Sequence, residues 1–319
     1  MCIALISTAH PDYPLILLSN RDEFLDRLTA SAHWWKAPHE HVLGGRDLQR
    51  TEQGTWLGLT QDGRIALLTN FREEGQEIAK DKSRGAIVSA YLSSPPGEKE
   101  SDDEFARRLV EGVGINDVGG FSLVFGHLQP SADGSLEGLS IISNRTTDTS
   151  DLTRIASKPG EVHGLSNSHF GDLSWPKVVH GEQLLRQAVN ASSTRQNSKE
   201  RLIESLFDVL RVDTYPKIPE REDFAVYSRQ MRNSIFIPRV GGSGVKSESS
   251  DGMKSADDQH SPTHSGVVIR AGPGGYGTQK QTVVLVDRSG KVTFVERTLF
   301  DENARDAESE RKFEFQIEN

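Results

Sequence analysis

Towards the N-terminus, apolar runs are short and are separated by turn residues. Residues 2–8 (CIALIST) and 15–19 (LILLS) flank His10-Pro11-Asp12-Tyr13-Pro14, the pattern of a β-hairpin. Residues 55–60 and 64–69 flank Gln61-Asp62-Gly63, and Asp-Gly favours the tight turn that joins two strands. Residues 121–125 and 139–142 form a further predicted strand pair across a Pro-, Ser- and Gly-rich connection. Helical spacing takes over at 83–93 and at 102–112, where Ser101 and Glu104 match a capping box. It returns at 174–189, which opens with Ser174 and Pro176. A following helix carries Leu202, Leu206, Val209 and Leu210 on one face. The chain then returns to strands at 266–271, 282–287 and 292–297.

Strands, then helices, then strands that must rejoin the first sheet predict one interleaved α+β domain over residues 1–300. Apolar strands such as LILLS and TVVLV do not alternate, so both of their faces are expected to be buried. Two stacked antiparallel sheets with helices outside bury them in that way. Residues 241–265 hold one Val and one Met among Gly, Ser, Asp and Lys. That is too little apolar surface to offset the entropy of ordering, and a disordered insertion is expected there. Residues 301–319 are highly charged and read as a C-terminal tail, frayed or folded as a short surface helix.

Composition narrows the partners. The chain has 319 residues, a hydrophobic share of 35%, a charged share of 26% and a formal net charge of -9. Its mean hydropathy is -0.51. The acidic balance argues against nucleic acid, which needs clustered Lys and Arg. A single cysteine rules out an intramolecular disulfide and suits a reducing compartment. No run approaches the length of a membrane span, and the N-terminus lacks a signal-peptide pattern. A cytoplasmic protein is expected. Of the histidines, only His39 and His41 are read as a ligand-like pair, and they flank Glu40 in a Pro-bearing loop, so neither a metal nor a cofactor is called for.

The lone cysteine, Cys2, changes the picture. Removal of Met1 would leave a thiol and a free α-amino group on one residue, a nucleophile beside its own base. The alternative is a small residue packed at the start of a strand. Counting back from a turn at Pro11-Asp12 sets Cys2 opposite Asn20 and Arg21, within a residue or two. Ser19-Asn20-Arg21-Asp22-Glu23 would then leave its strand beside the thiol. Arg21 is placed to lower the thiol pKa or to clamp a carbonyl or carboxylate, and Asp22 to orient the α-amine. The alternative for this cluster is a surface group of salt bridges. Asn70, Asn144 and Asn167 close other strand-like runs, and Arg72 and Arg145 follow two of them. This recurrence suggests a single polar rim, with Asn70 as an oxyanion donor. Arg72, Asn144 and Arg145 are its substrate-binding candidates. Trp34, Trp35 and Trp56 read as aromatic core. Gly272–Gly277 lacks the Lys-Ser/Thr of a phosphate loop and reads as a tight loop entering the sheet, and no G-x-S-x-G elbow is present.

Taken together, Met1-Cys2-Ile3, Asn20-Arg21-Asp22-Glu23, Gly44-Gly45-Arg46-Asp47, Gly54-Thr55-Trp56-Leu57-Gly58, Thr69-Asn70-Phe71-Arg72, Leu165-Ser166-Asn167, Trp175-Pro176-Lys177 and Tyr276-Gly277-Thr278 resemble the NRDE family. The motifs span nearly the whole chain in the family's order. The resemblance implies a four-layer αββα sandwich of the N-terminal nucleophile (Ntn) hydrolase type. It also implies roles in Golgi organisation and protein secretion, with haem trafficking and acyl-CoA or lipid homeostasis as further proposals. More distant relatives in that fold, the bile-salt hydrolases and penicillin V acylases, cleave amides with an N-terminal cysteine. On that pattern Cys2 matches the nucleophile and Arg21 the substrate-side arginine. Asn70 or Asn167 match the oxyanion and amine-orienting asparagines. Two departures stand out: Arg21 and Asp22 are adjacent where those enzymes space the pair, and Gln279-Lys280-Gln281 replaces the Arg and Ser usual after the Tyr-Gly-Thr motif.

Three readings follow. The first is a hydrolase of a small amide or thioester. The second is a non-catalytic carrier of haem, a lipid or an acyl chain. The third is a Golgi-associated factor that works through secretory-pathway proteins, with the 241–265 insertion as a docking segment.

Overall fold

The N-terminal hairpin forms where its turn residues dictate. Strand β1 (Ile3–Ser7) pairs with β2 (Leu15–Phe24) in a register that sets Ile3 opposite Asn20, as the turn count requires. The computed structural model describes residues 1–71, 83–97, 100–113, 115, 118–128, 137–150, 152–218, 224–241, 274–300 and 304–318. Arg72, the strand expected at 266–271 and all but the first residue of the 241–265 insertion lie outside them.

The remaining strands of the first half are β3 (Thr29–Trp34), β4 (Val42–Asp47), β5 (Leu57–Thr60) and β6 (Arg64–Asn70). They are followed by β7 (Phe121–His127), β8 (Leu139–Ser143), β9 (Thr153–Ile155) and β10 (Val162–Leu165). The last three are β11 (Tyr276–Val286), β12 (Lys291–Phe300) and β13 (Asp306–Gln316). One sheet runs β10-β1-β2-β11-β12-β13 and the other β3-β4-β5-β6-β7-β8-β9. Every pairing is antiparallel.

The helices are α1 (Arg84–Leu92), α2 (Asp102–Arg107), α3 (Pro176–Arg195), α4 (Lys199–Leu210) and α5 (Phe224–Gln230). Ser101 accepts from the Glu104 backbone while Glu104 reaches back to Ser101, so the capping box forms as read. The predicted helix at 102–112 is α2 continued by a π-helical stretch, Arg108–Val113.

Three apolar layers show how these elements stack. Ala4, Ile6, Leu15 and Leu17 of the first sheet meet Leu43, Leu57, Leu59 and Leu67 of the second. On the outer face of the first sheet, Ile3, Leu5, Ile16 and Leu18 pack with Leu185 of α3 and with Leu202, Leu206 and Leu210 of α4. On the outer face of the second, Ala66, Leu68, Leu123 and Phe125 pack with Val88 of α1 and Phe105 of α2. The order is helix, sheet, sheet, helix, the expected αββα sandwich. Gly54 and Gly85 bring a loop against the first turn of α1, where a Cβ on Gly54 would stand 2.6 Å from the Gly85 carbonyl carbon.

Three expectations are corrected. The Asn20–Glu23 segment does not leave its strand, because β2 runs on to Phe24 and pairs with β11 along its length. Residues 306–316 are neither a frayed tail nor a helix but strand β13, with Phe313 and Phe315 packed on the inter-sheet core. The strand read at 282–287 begins earlier, at Tyr276.

Candidate functional site

Period-two alternation decides what surrounds Cys2. In β1, Ala4 and Ile6 face the other sheet, while Ile3 and Leu5 face the helices. Cys2 continues the first set and Met1 the second. In β2 the same rule sends Asn20 and Asp22 to the helix side and Arg21 between the sheets. The contacts agree. Asn20 is fully buried and donates to the carbonyls of Leu210 at 2.8 Å and Ile235 at 2.9 Å. Arg21 lies over the Trp56 ring at 4.3 Å and donates to Gln279 Oε1. Gln279 sits at an irregularity in the β2–β11 register between Thr278 and Lys280, which turns its side chain onto Arg21. Arg21 is buried, so the cluster is not a surface group of salt bridges.

Asp22 is the centre of the helix-side group. Its Oδ1 accepts from Thr278 Oγ1 at 2.7 Å, and its backbone carbonyl accepts from Tyr276 Oη at 2.9 Å. Its Oδ2 stands 3.5 Å from the Met1 α-ammonium and 3.9 Å from Lys177 Nζ, and makes no hydrogen bond. The Met1 ammonium also donates to Tyr276 Oη. Lys177 is fully buried and donates to the Met1 carbonyl at 2.5 Å. Cys2 Sγ approaches the Asp22 carbonyl at 3.8 Å, and the Cys2 carbonyl accepts from Ser166 Oγ at 2.6 Å.

Burial dominates the electrostatics here. It pushes the Met1 α-amine below its ordinary range, against the pull of Asp22. It pushes the Cys2 thiol up, although the neighbouring ammonium draws it back. It lowers Lys177, again against Asp22, and raises Tyr276 well above the usual phenol range.

The asparagines meet at the same end of the sandwich. Asn70 ends β6 and pairs with Phe121, whose N–H donates to Asn144 Oδ1 at 3.3 Å. Asn167 follows β10 and donates through Nδ2 to the Asn70 carbonyl, joining the two sheets across the rim. Its Oδ1 makes no hydrogen bond. Asn70 and Arg145 are exposed, while Asn144 is buried. The rim thus gathers Cys2, Asp22, Asn70, Asn144 and Asn167 through these contacts, with Arg21 on the inter-sheet side. Trp34 and Trp56 pack on the inter-sheet core and Trp35 on the outer core of the second sheet, as aromatic core residues. No group of His, Cys, Asp and Glu able to hold a metal occurs among the described residues.

Sequence reasoning assigned no role to Lys177, Thr278, Tyr276 or Ser166. One signal for Lys177 was present. It lies in the first turn of α3, right after the initial Pro176, where the helix dipole disfavours a cation. A lysine there calls for a fixed acidic partner, and Asp22 is that partner.

Two stacked antiparallel sheets between helix layers, with the only cysteine just ahead of the first strand, define an αββα sandwich. The chain belongs to the Transport and Golgi organisation 2 family, whose model matches residues 1–301. It is 30% identical over 308 residues to a human Transport and Golgi organization protein 2 homolog, covering 96% of this chain and 94% of the relative. It is 28% identical over 340 residues to an uncharacterized Saccharomyces cerevisiae protein, covering 99% and 100% of the two chains. Among solved structures it resembles penicillin V acylase from Agrobacterium tumefaciens, at 12% identity and a TM-score of 0.43, covering 98% of this chain and 90% of that one. Among the described residues, no helix is long and apolar enough to cross a membrane.

Proposed function

We propose that this protein hydrolyses a small amide or thioester with Cys2 as nucleophile once Met1 has been removed. The observation that carries the reading is the buried Asp22–Lys177–Tyr276 group closed around the start of the chain. Three ionisable groups buried together cost several kcal/mol unless they serve one another, and sites of chemistry concentrate such groups. With Met1 in place the thiol is held protonated by burial, and the base it needs is locked in a peptide bond. Excision supplies that base as the Cys2 α-amine. Cys2 then attacks the carbonyl carbon, and its amine takes the thiol proton and returns it to the leaving group. Asn70 and Asn167 face the tetrahedral oxyanion as amide donors from the rim. Arg21 holds the substrate from the inter-sheet side, with Asn144 and Arg145 as further substrate contacts.

In the cell we place this activity on the cytoplasmic side of the secretory pathway, in Golgi organisation and protein secretion. The test is intact-mass measurement of protein purified from its own cells, followed by labelling with a thioester probe. The reading expects a mass without Met1, a label on Cys2, and no label on Cys2→Ser. Retention of Met1 on functional protein refutes it.

One observation favours a second reading, a non-catalytic carrier of haem, lipid or acyl-CoA. A cavity of about 330 Å³ lies near the site, lined by Tyr215, Pro216, Ile218, Tyr227 and Val240 with Lys217 and Arg239. If Cys2→Ala protein restores secretion in depleted cells, the carrier reading replaces the hydrolase.

A further inference from the structure

Met1 occupies a seat with three different walls. Its α-ammonium faces Tyr276 Oη and Asp22 Oδ2, the latter at 3.5 Å. Its carbonyl oxygen accepts from Lys177 Nζ at 2.5 Å. Its side chain packs on the apolar cluster of Tyr227, Met231, Ile237, Val240 and Tyr276. The Asp22 side chain is wholly buried, Thr278 takes its Oδ1, and its Oδ2 points into the seat without a hydrogen bond. Behind the apolar wall, Tyr227 and Val240 also line the 330 Å³ cavity. The Met1 carbonyl carbon is bonded to the Cys2 nitrogen, so it stands within a few ångströms of Sγ. A separate group in this seat has its carbonyl carbon displaced from the bonded position to about 3 Å from the Cys2 nitrogen, still within reach of the thiol on the same residue.

We infer that the group the enzyme cleaves is an α-aminoacyl group with a large apolar side chain, seated where Met1 sits before its removal. The inference rests on the reading of Cys2 as nucleophile and names its substrate class. The ammonium of such a group meets the Asp22 carboxylate, which would otherwise face an uncharged amide across a buried contact. Its carbonyl oxygen meets Lys177, a charged donor that adds to the asparagines of the rim. Its side chain meets the aromatic wall. In the reaction, Cys2 Sγ forms a bond to the carbonyl carbon while the bond from that carbon to the leaving nitrogen or sulfur breaks. The leaving group departs with the proton the thiol gave to the Cys2 amine. Water then cleaves the thioester, releasing the α-amino acid and restoring the thiol.

The experiment uses full-length protein shown by mass to begin at Cys2, with L-methionine p-nitroanilide and its N-acetyl derivative as paired probes. The free-amine probe is expected to have a kcat/KM at least tenfold higher, and Asp22→Asn is expected to collapse that ratio towards unity. Equal or faster cleavage of the N-acetyl probe overturns the aminoacyl inference and leaves the nucleophile reading standing. Failure to cleave either probe while a thioester probe labels Cys2 overturns it as well. Because Asp22→Asn can fail to fold, binding provides a second arm. Calorimetry on Cys2→Ala protein lacking Met1 is expected to show L-methioninamide binding at least tenfold tighter than N-acetyl-L-methioninamide. Equal affinities overturn the inference.

Discussion

Asn20 shows how a residue from a motif near the site can serve the scaffold. One place along β2 separates it from Arg21, and that single step turns it onto the opposite face of the sheet. There its amide donates to the carbonyls of Leu210, at the end of α4, and Ile235, while its Oδ1 accepts from Gln281 at 3.1 Å. Asn20→Ala leaves the Ile235 carbonyl and the Gln281 amide short of these partners in a buried layer. We expect a loss of about 2–3 kcal/mol, measured by urea unfolding. Asn20→Asp sets a carboxylate against two carbonyls and is expected to lose more. Much of the candidate site was legible at this scale. The hairpin count placed Arg21 beside Cys2, and the repeated asparagines do meet at one rim. The first-turn position of Lys177 pointed to an acidic partner but not to Asp22, which lies far away in sequence, and only the fold brings α3 to the start of β1. The Gln279 contact was equally hidden, since a local slip in strand register leaves no pattern in the residues themselves.

Elements were read best where a local rule governs them. The Asp-Gly turn, the Ser101 capping box and the apolar face of α4 all form as their residues dictate. Strands β3 and β4 were missed because TASAHW and VLGGRD carry little apolar signal, and pairing with neighbours makes them strands. Strand β13 was missed because charge masked its alternation, although Phe313, Phe315 and Ile317 mark one face. At the start of α2, Asp102 accepts from Tyr91 Oη at 2.6 Å and faces His127 Nδ1 at 3.2 Å, tying the helix to β7. Burial raises this carboxyl, but the contacts from His127 and Tyr91 outweigh it and hold the group below its usual range. A depressed folded pKa contributes stability above the unfolded value of about 3.9, and that contribution is lost as pH falls through the folded value. Asp102→Asn is therefore expected to cost about 1–2 kcal/mol at pH 6. The gap from wild type should close towards pH 3, as read by urea unfolding at both pH values. An unchanged gap would mean that the carboxylate charge has no part in the contact.

For the whole molecule, two sheets and two helix layers could be inferred because LILLS and TVVLV are apolar on both faces and need cover on each. The strand order could not, since β10 pairs with β1, and β11 with β2, across long stretches of chain. One outer strand of the first sheet is β13, whose face away from the other sheet is charged by Glu308, Glu310, Lys312 and Glu314. Like-charged or mixed-charge edges resist pairing with a second molecule. Truncation after Arg305 would uncover the apolar ladder of β12 and remove Phe313 and Phe315 from the core. We expect a lower melting temperature and association of the truncated chain, seen by thermal unfolding and sedimentation. A monomer of undiminished stability would contradict that role for β13. The enclosure of the chain's first ammonium by Tyr276 and Asp22 carries a practical corollary for anyone producing the protein. A purification tag joined ahead of Met1 would replace a cation with a peptide bond inside a closed acidic contact, and it would block the removal of Met1 that the proposed function requires. Preparations intended for activity assays should carry their tags beyond β13, where the chain runs along the outer edge of its sheet.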